Sequence, residues 1–116
     1  MRPACIVVAT LFLLIASIAY AEEQRAIYIG IYGIGPAVDA KAFKQVRRVI
    51  GTEITKGNLE KFVVYGYGFE GGFGACVQLS RFASEEAIED ILARLNAIQP
   101  NPKTTAYSVQ VAPECE

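Results

Sequence analysis

KFVVYGYGFEGGFGACVQLSRFASEEAIEDILARL, residues 61 to 95, changes its hydrophobic period twice, and those changes decide the fold. Lys61 to Tyr67 is rich in Phe, Val and Tyr, residues that pack well on a pleated, half-buried surface, and predicts a strand. Gly71 and Gly72 supply a reversal. Phe73 to Leu79 then predicts a second strand. From Ser84 the period becomes helical, with Ile88, Ile91, Leu92 and Leu95 in an i, i+3, i+4, i+7 stripe. Ser84 suits an N-cap because its hydroxyl can accept a free backbone N–H, and Glu85 and Glu86 complement the positive end of the helix dipole. The helix is expected to end near Ala97.

Working outward, Ala26 to Tyr32 alternates Ile with Ala, Tyr or Gly and predicts a first strand with one aliphatic face. Gly33-Ile34-Gly35-Pro36 interrupts it. Asp39 to Ile50 carries Phe43, Val46, Val49 and Ile50 at helical spacing, with Asp39 placed to cap the start and Gly51 to mark the end. On the far side, Pro100 and Pro102 exclude regular structure, and Thr105 to Val111 sets Tyr107, Val109 and Val111 against Ala106, Ser108 and Gln110 as a last strand. The order β-α-β-β-α-β is that of the split βαβ pattern. It predicts a ferredoxin-like α+β sandwich, with one four-stranded antiparallel sheet and both helices on a single face.

The segment Met1 to Ala21 reads as a cleaved secretory leader. Arg2 is its charged start, Ile6 to Ile18 its apolar run, and Ala19-Tyr20-Ala21 a small-x-small cleavage site. The expected mature chain, Glu22 to Glu116, is one domain that is periplasmic or secreted and not embedded in a membrane. Cleavage removes Arg2, so the net charge moves from −1 for the whole chain to −2. Such a chain has no basic field to attract nucleic acid. Cys5 also departs, leaving Cys76 and Cys115 as a pair in a compartment that favours disulfides, with a free or intermolecular thiol as the alternative. A bridge enclosing about forty residues contributes roughly 4 kcal/mol in the chain-entropy model.

The chain contains no histidine. That removes the imidazole base, Ser-His-Asp and Cys-His arrangements and histidine metal sites, so neither catalysis, a metal nor a cofactor is expected. Gly66 to Gly71 matches G-x-G-x-x-G, yet it joins two strands. A dinucleotide site needs those glycines to open a helix, so a glycine-rich hairpin is expected instead. Lys41, Lys44 and Arg48 form a basic stripe read as the solvated face of the first helix. Glu85, Glu86, Glu89 and Asp90 lie on the outer face of the second, with Asp90 placed to pair with Arg94.

Alternation assigns the strand faces. Ile27, Ile29, Ile31, Phe73, Ala75, Val77, Leu79, Tyr107, Val109 and Val111 should meet the helices. The opposite, open face should carry Tyr28, Tyr32, Cys76, Gln78, Ser108 and Gln110, joined by Tyr65 and Tyr67 in one register of the second strand. Tyrosines interleaved with hydrogen-bonding groups make a platform for a sugar, a peptide or a second subunit. A bridge from Cys76 to Cys115 would carry Ala112-Pro113-Glu114 across the sheet end and cover part of that platform.

Residues 71 to 95, with strand, Phe turn at Arg81-Phe82-Ala83 and Ala/Leu-rich helix, resemble one half of a SPOR (sporulation-related repeat) domain. The resemblance covers about a quarter of the chain. It departs from the SPOR pattern at Ser80 and Arg81, where a glycine usually precedes the turn, and the first half lacks the Phe turn. It implies a periplasmic ferredoxin-like domain that binds peptidoglycan glycan strands lacking stem peptides on its open face. Tyr28, Tyr32, Gln78 and Ser108 are the ligand-facing candidates by face geometry. A non-enzymatic binding module for cell-wall glycan or a protein partner is therefore the first expectation. The alternatives are a propeptide-like protease inhibitor or chaperone module, and a homodimeric ferredoxin-like barrel whose sheet faces enclose a cavity.

Overall fold

Ile27, Ile29 and Ile31 are buried on one face of the first strand and meet the buried Phe73, Ala75, Val77 and Leu79 of its neighbour. Those alternating side chains organise the core in a computed structural model that describes residues 23–66 and 70–116. The expected leader Met1 to Ala21, Cys5 within it, and Tyr67, Gly68 and Phe69 of the hairpin lie outside the described residues. The elements are β1 (Ala26–Gly33), α1 (Ala40–Thr55), β2 (Leu59–Gly66), β3 (Gly72–Leu79), α2 (Glu85–Asn96) and β4 (Thr105–Ala112). The sheet order is β2-β3-β1-β4 with every neighbouring pair antiparallel, a ferredoxin-like α+β arrangement.

The helices close the core from one side. Ala42, Val46 and Ile50 of α1 and Ile88, Ile91 and Leu95 of α2 are buried against the isoleucine face. Each fully buried aliphatic side chain contributes on the order of 1.5–3 kcal/mol, so this face supplies the main driving force for folding. Ser84 caps α2 by accepting from the Ala87 amide at 3.2 Å. Asp39 caps α1 from the Ala42 amide at 3.1 Å, and its second carboxylate oxygen accepts from the Asn101 amide at 3.0 Å. The Asp39 carboxyl is held below its ordinary pKa, first by the Ala42 amide and then by that of Asn101.

α1 runs past the expected stop at Gly51 to Thr55. Gly57, at φ 76°, is the terminating glycine, and two hydrogen bonds, Gly57 N to Ile54 O and Asn58 N to Glu53 O, close a Schellman motif. The extra turn persists because Glu53, only 2% exposed, is paired with Arg94 of α2 and accepts from Asn58 Nδ2 at 2.8 Å. Arg94 also holds Asp90, the pairing expected from their spacing. Burial pushes the Glu53 carboxyl up, but the hydrogen bonds of Asn58 and Arg94, with the charges of Arg94 and Lys56, outweigh it. The net direction is down.

Candidate functional site: the open sheet face

Strand register places the face opposite the helices in four cross-strand rows. Lys61, Gln78, Ala26 and Ala112 form the first, and Val63, Cys76, Tyr28 and Gln110 the second. Gly66, Gly74, Gly30 and Ser108 form the third; Gly72, Tyr32 and Ala106 form the fourth. The alternation reading thus holds for Tyr28, Tyr32, Cys76, Gln78, Ser108 and Gln110. The register of β2 adds Tyr65, whose ring stacks on Tyr28 at 6.0 Å between centroids. Phe62 and Val64 lie on the helix side with Ala75 and Val77.

The first two rows are covered around Cys76 and Tyr28, while Lys61 and Gln110 at their ends stay exposed. Cys76 and Cys115 form a disulfide, with Cα atoms 5.8 Å apart, 39 residues apart in sequence, and both side chains buried. Such a bond forms and persists in oxidising compartments. Around it the tail is fixed at successive atoms. The Cys115 amide donates to Gln78 Oε1 at 2.9 Å, the Glu116 amide to the Tyr28 hydroxyl at 3.0 Å, and the Tyr65 hydroxyl to the Glu116 carbonyl at 2.7 Å. Lys61 Nζ approaches the Cys115 carbonyl at 3.5 Å. Gln78 spends its amide on Glu60 at 2.9 Å. The Tyr65 phenol is pushed above its ordinary pKa, first by partial desolvation and then by the Tyr28 hydroxyl and the Glu116 charge. Two of the four candidate residues, Tyr28 and Gln78, therefore serve the tail.

The other two rows carry few side chains, and Gly72 and Gly74 within them are buried. Gly66, Gly74 and Gly30 are register partners across β2, β3 and β1, and Ser108 completes the line on β4. With strands about 4.8 Å apart, this trough crosses the sheet over roughly 14 Å. Tyr32 is folded into it. A Cβ added at Gly30 would stand 3.1 Å from the Tyr32 ring, and one added at Gly74 would collide with the Tyr32 hydroxyl. Since Cβ atoms leave a strand normal to the sheet, the Tyr32 side chain lies across both glycines. It remains 38% exposed, so its outer surface is available. A Cβ at Gly30 would also stand 2.9 Å from Ser108 Oγ, which leans into the same space.

Tyr32 and Ser108 are thus brought together, while Tyr28 and Gln78 stand apart under the tail. Reasoning from alternation missed the glycines as a floor, though the signal was present. Tyr28-Gly30-Tyr32 and Gly72-Gly74-Cys76 put glycine at the open-face positions of both central strands. Lys41, Lys44 and Arg48 are exposed on α1 and Glu85, Glu86, Glu89 and Asp90 on α2, all on the far side from this trough. No helix among the described residues is long and apolar enough to cross a membrane. No family model, curated protein or solved structure matches this chain.

Proposed function

We propose that the protein is a non-enzymatic binding module acting outside the cytoplasm, whose sheet face around the Tyr32 ring holds a polysaccharide strand of the cell-wall glycan class. The observation that carries this reading is the half-exposed Tyr32 ring lying across Gly30 and Gly74, with Ser108 beside it. A pyranose ring presents axial C–H groups on its face and hydroxyls around its rim. A half-exposed aromatic ring meets the first, and Ser108 and Gln110 meet the second. The SPOR-like stretch 71–95 supports the same ligand class.

The arrangement of the tail weighs against the inhibitor alternative. A C-terminus held by a disulfide and by hydrogen bonds to Tyr28, Gln78 and Tyr65 has to be stripped off its own sheet before entering a protease cleft. It also stands in the way of a barrel that closes sheet face on sheet face.

The test is co-sedimentation of the protein, purified from an oxidising compartment, with isolated peptidoglycan before and after enzymatic removal of stem peptides. Retention that rises after stripping and falls with Tyr32→Ala is expected. A chain that stays in the supernatant with both preparations defeats the reading.

A further inference from the structure

β2 is an edge strand, and the helix side of that edge is left apolar. Phe62 is 41% exposed, Val64 37% and Ile54 of α1 50%. With Arg47, Gly51 and Phe73 they line a groove of about 250 Å³ between α1 and the strand. Exposed edges are usually blunted, and this one is blunted in part, with Lys61 on its open side and irregularities at its ends. Register shifts fall between Leu59 and Lys61 and between Val64 and Gly66, leaving a short regular segment between them.

We propose that a second copy of the chain occupies this edge, pairing β2 with β2 antiparallel about a two-fold axis at Val63 to make one eight-stranded sheet. The sequence LEKFVVYG is self-complementary in that register. Val63 faces its own copy, Phe62 faces Val64 on the helix side, and Lys61 faces Tyr65 on the open side. Residues directly opposite share a face, so apolar meets apolar on the helix side. The two Lys61 ammonium groups are also kept apart. Centring the axis on Phe62 instead puts Glu60 against Val64 and Lys61 against Val63, and centring it on Val64 sets Phe62 against Gly66. Only the Val63 register matches both faces.

Gly51 gives an independent reason. It is an interior residue of α1 without a positive φ, and a Cβ built there meets nothing within 4 Å. In one chain alone glycine therefore weakens the helix by about 1 kcal/mol relative to alanine with no local return. Gly51 lines the groove with Arg47 and Ile54. The two-fold axis brings the paired α1 helices antiparallel across the junction, where a missing side chain permits close approach. Antiparallel packing also sets the two Arg47 side chains at opposite ends. Pairing of like edges closes after two copies, and both open faces emerge on one side.

Sedimentation velocity over a micromolar to millimolar series, on the chain purified from an oxidising compartment, tests this. A concentration-dependent dimer is expected. Val64→Lys and Ile54→Lys, both at exposed positions, should each raise its dissociation constant by roughly 30-fold or more, as loss of a central anchor does. Val111→Lys on the opposite edge, where Val111 is 45% exposed, should leave it unchanged. Gly51→Ala should raise the melting temperature of the dilute monomer while weakening the dimer. Amide exchange on the unmodified chain, independent of any variant's folding, should slow with concentration at Lys61 to Tyr65 but not along β4. A single-chain mass throughout the series overturns the proposal. So does a dimer insensitive to Val64→Lys and Ile54→Lys, one equally sensitive to Val111→Lys, or protection that rises on β4 alone.

Discussion

Tyr28 and Tyr32 leave the same face of β1 two pleats apart, and their neighbours give them different work. Tyr28 stands opposite Cys76 and meets Tyr65 and the C-terminal tail. Tyr32 has Gly30 behind it and Gly74 diagonally across, so its ring falls into the space those residues leave. One half of the face is thereby converted into internal structure and the other remains a surface. The difference lies less in the tyrosines than in the residues two positions along and one strand over.

The largest effect should come from the covered half. Cys76→Ser combined with Cys115→Ser releases the tail, and urea unfolding should report a loss of about 4 kcal/mol, as expected for a loop of this length. If the loss is negligible, the tail is an ornament and the two halves do not differ as argued.

Next comes a change that should not distinguish the halves. Glu53→Ala leaves Arg94 without its buried partner and should cost about 2 kcal/mol, below the range for a fully buried pair because Arg94 is about a third exposed. The pH dependence has a definite sign. The folded Glu53 carboxyl binds its proton more weakly than in the unfolded chain, where 4.5 is ordinary. Its contribution is therefore present above that pH and lost as pH falls through the lower folded value. Glu53→Gln should flatten the acid limb of a stability-versus-pH curve. At the alkaline end burial raises the Tyr107 phenol to about 12 from 10.0, so stability tied to its neutral form should fall between those values.

On the open half, Gly74→Val places a side chain where the Tyr32 hydroxyl lies and should cost about 1–2 kcal/mol while lifting the ring. Gly66→Val in the same row meets no atom of the described residues within 4 Å and should be neutral or mildly stabilising. Equal unfolding free energies for the two variants would remove the placement of the Tyr32 ring over Gly74. Tyr32→Ala strips the same ring from Gly30 and Gly74 and should cost about 1 kcal/mol, no more than its displacement in Gly74→Val.

The fold was legible because both periods are clean. Ile27, Ile29 and Ile31 have no competing assignment, and the stripe ending at Leu95 is capped at Ser84 as its chemistry requires. The cysteine pair and the crossing of the tail were also legible, since reading Met1 to Ala21 as a leader sets Cys5 aside and leaves Cys76 and Cys115 as the expected pair. The end of α1 was not. Two glycines, Gly51 and Gly57, compete for the same role, and what decides between them is Glu53 reaching Arg94, 41 residues away in sequence. The faces of β2 were obscured for a different reason. Phe62, Val63 and Val64 are all apolar, so alternation carries no sign, and the register shift beside Lys61 breaks the count. In the candidate site, membership of the face was readable but the division between its halves was not. Nothing in a one-dimensional pattern says that Gln78 will be taken by the Cys115 amide while Ser108 stays free of the tail.

The most direct test of the central claim is calorimetric titration of stem-peptide-free glycan strands into the parent, Tyr32→Ala and Tyr28→Ala, each first checked for its disulfide and unfolding free energy. The account predicts at least a tenfold loss of affinity for Tyr32→Ala, in line with the value of one stacked aromatic contact, and little change for Tyr28→Ala. Equal losses in the two variants, or a loss confined to Tyr28→Ala, would contradict it.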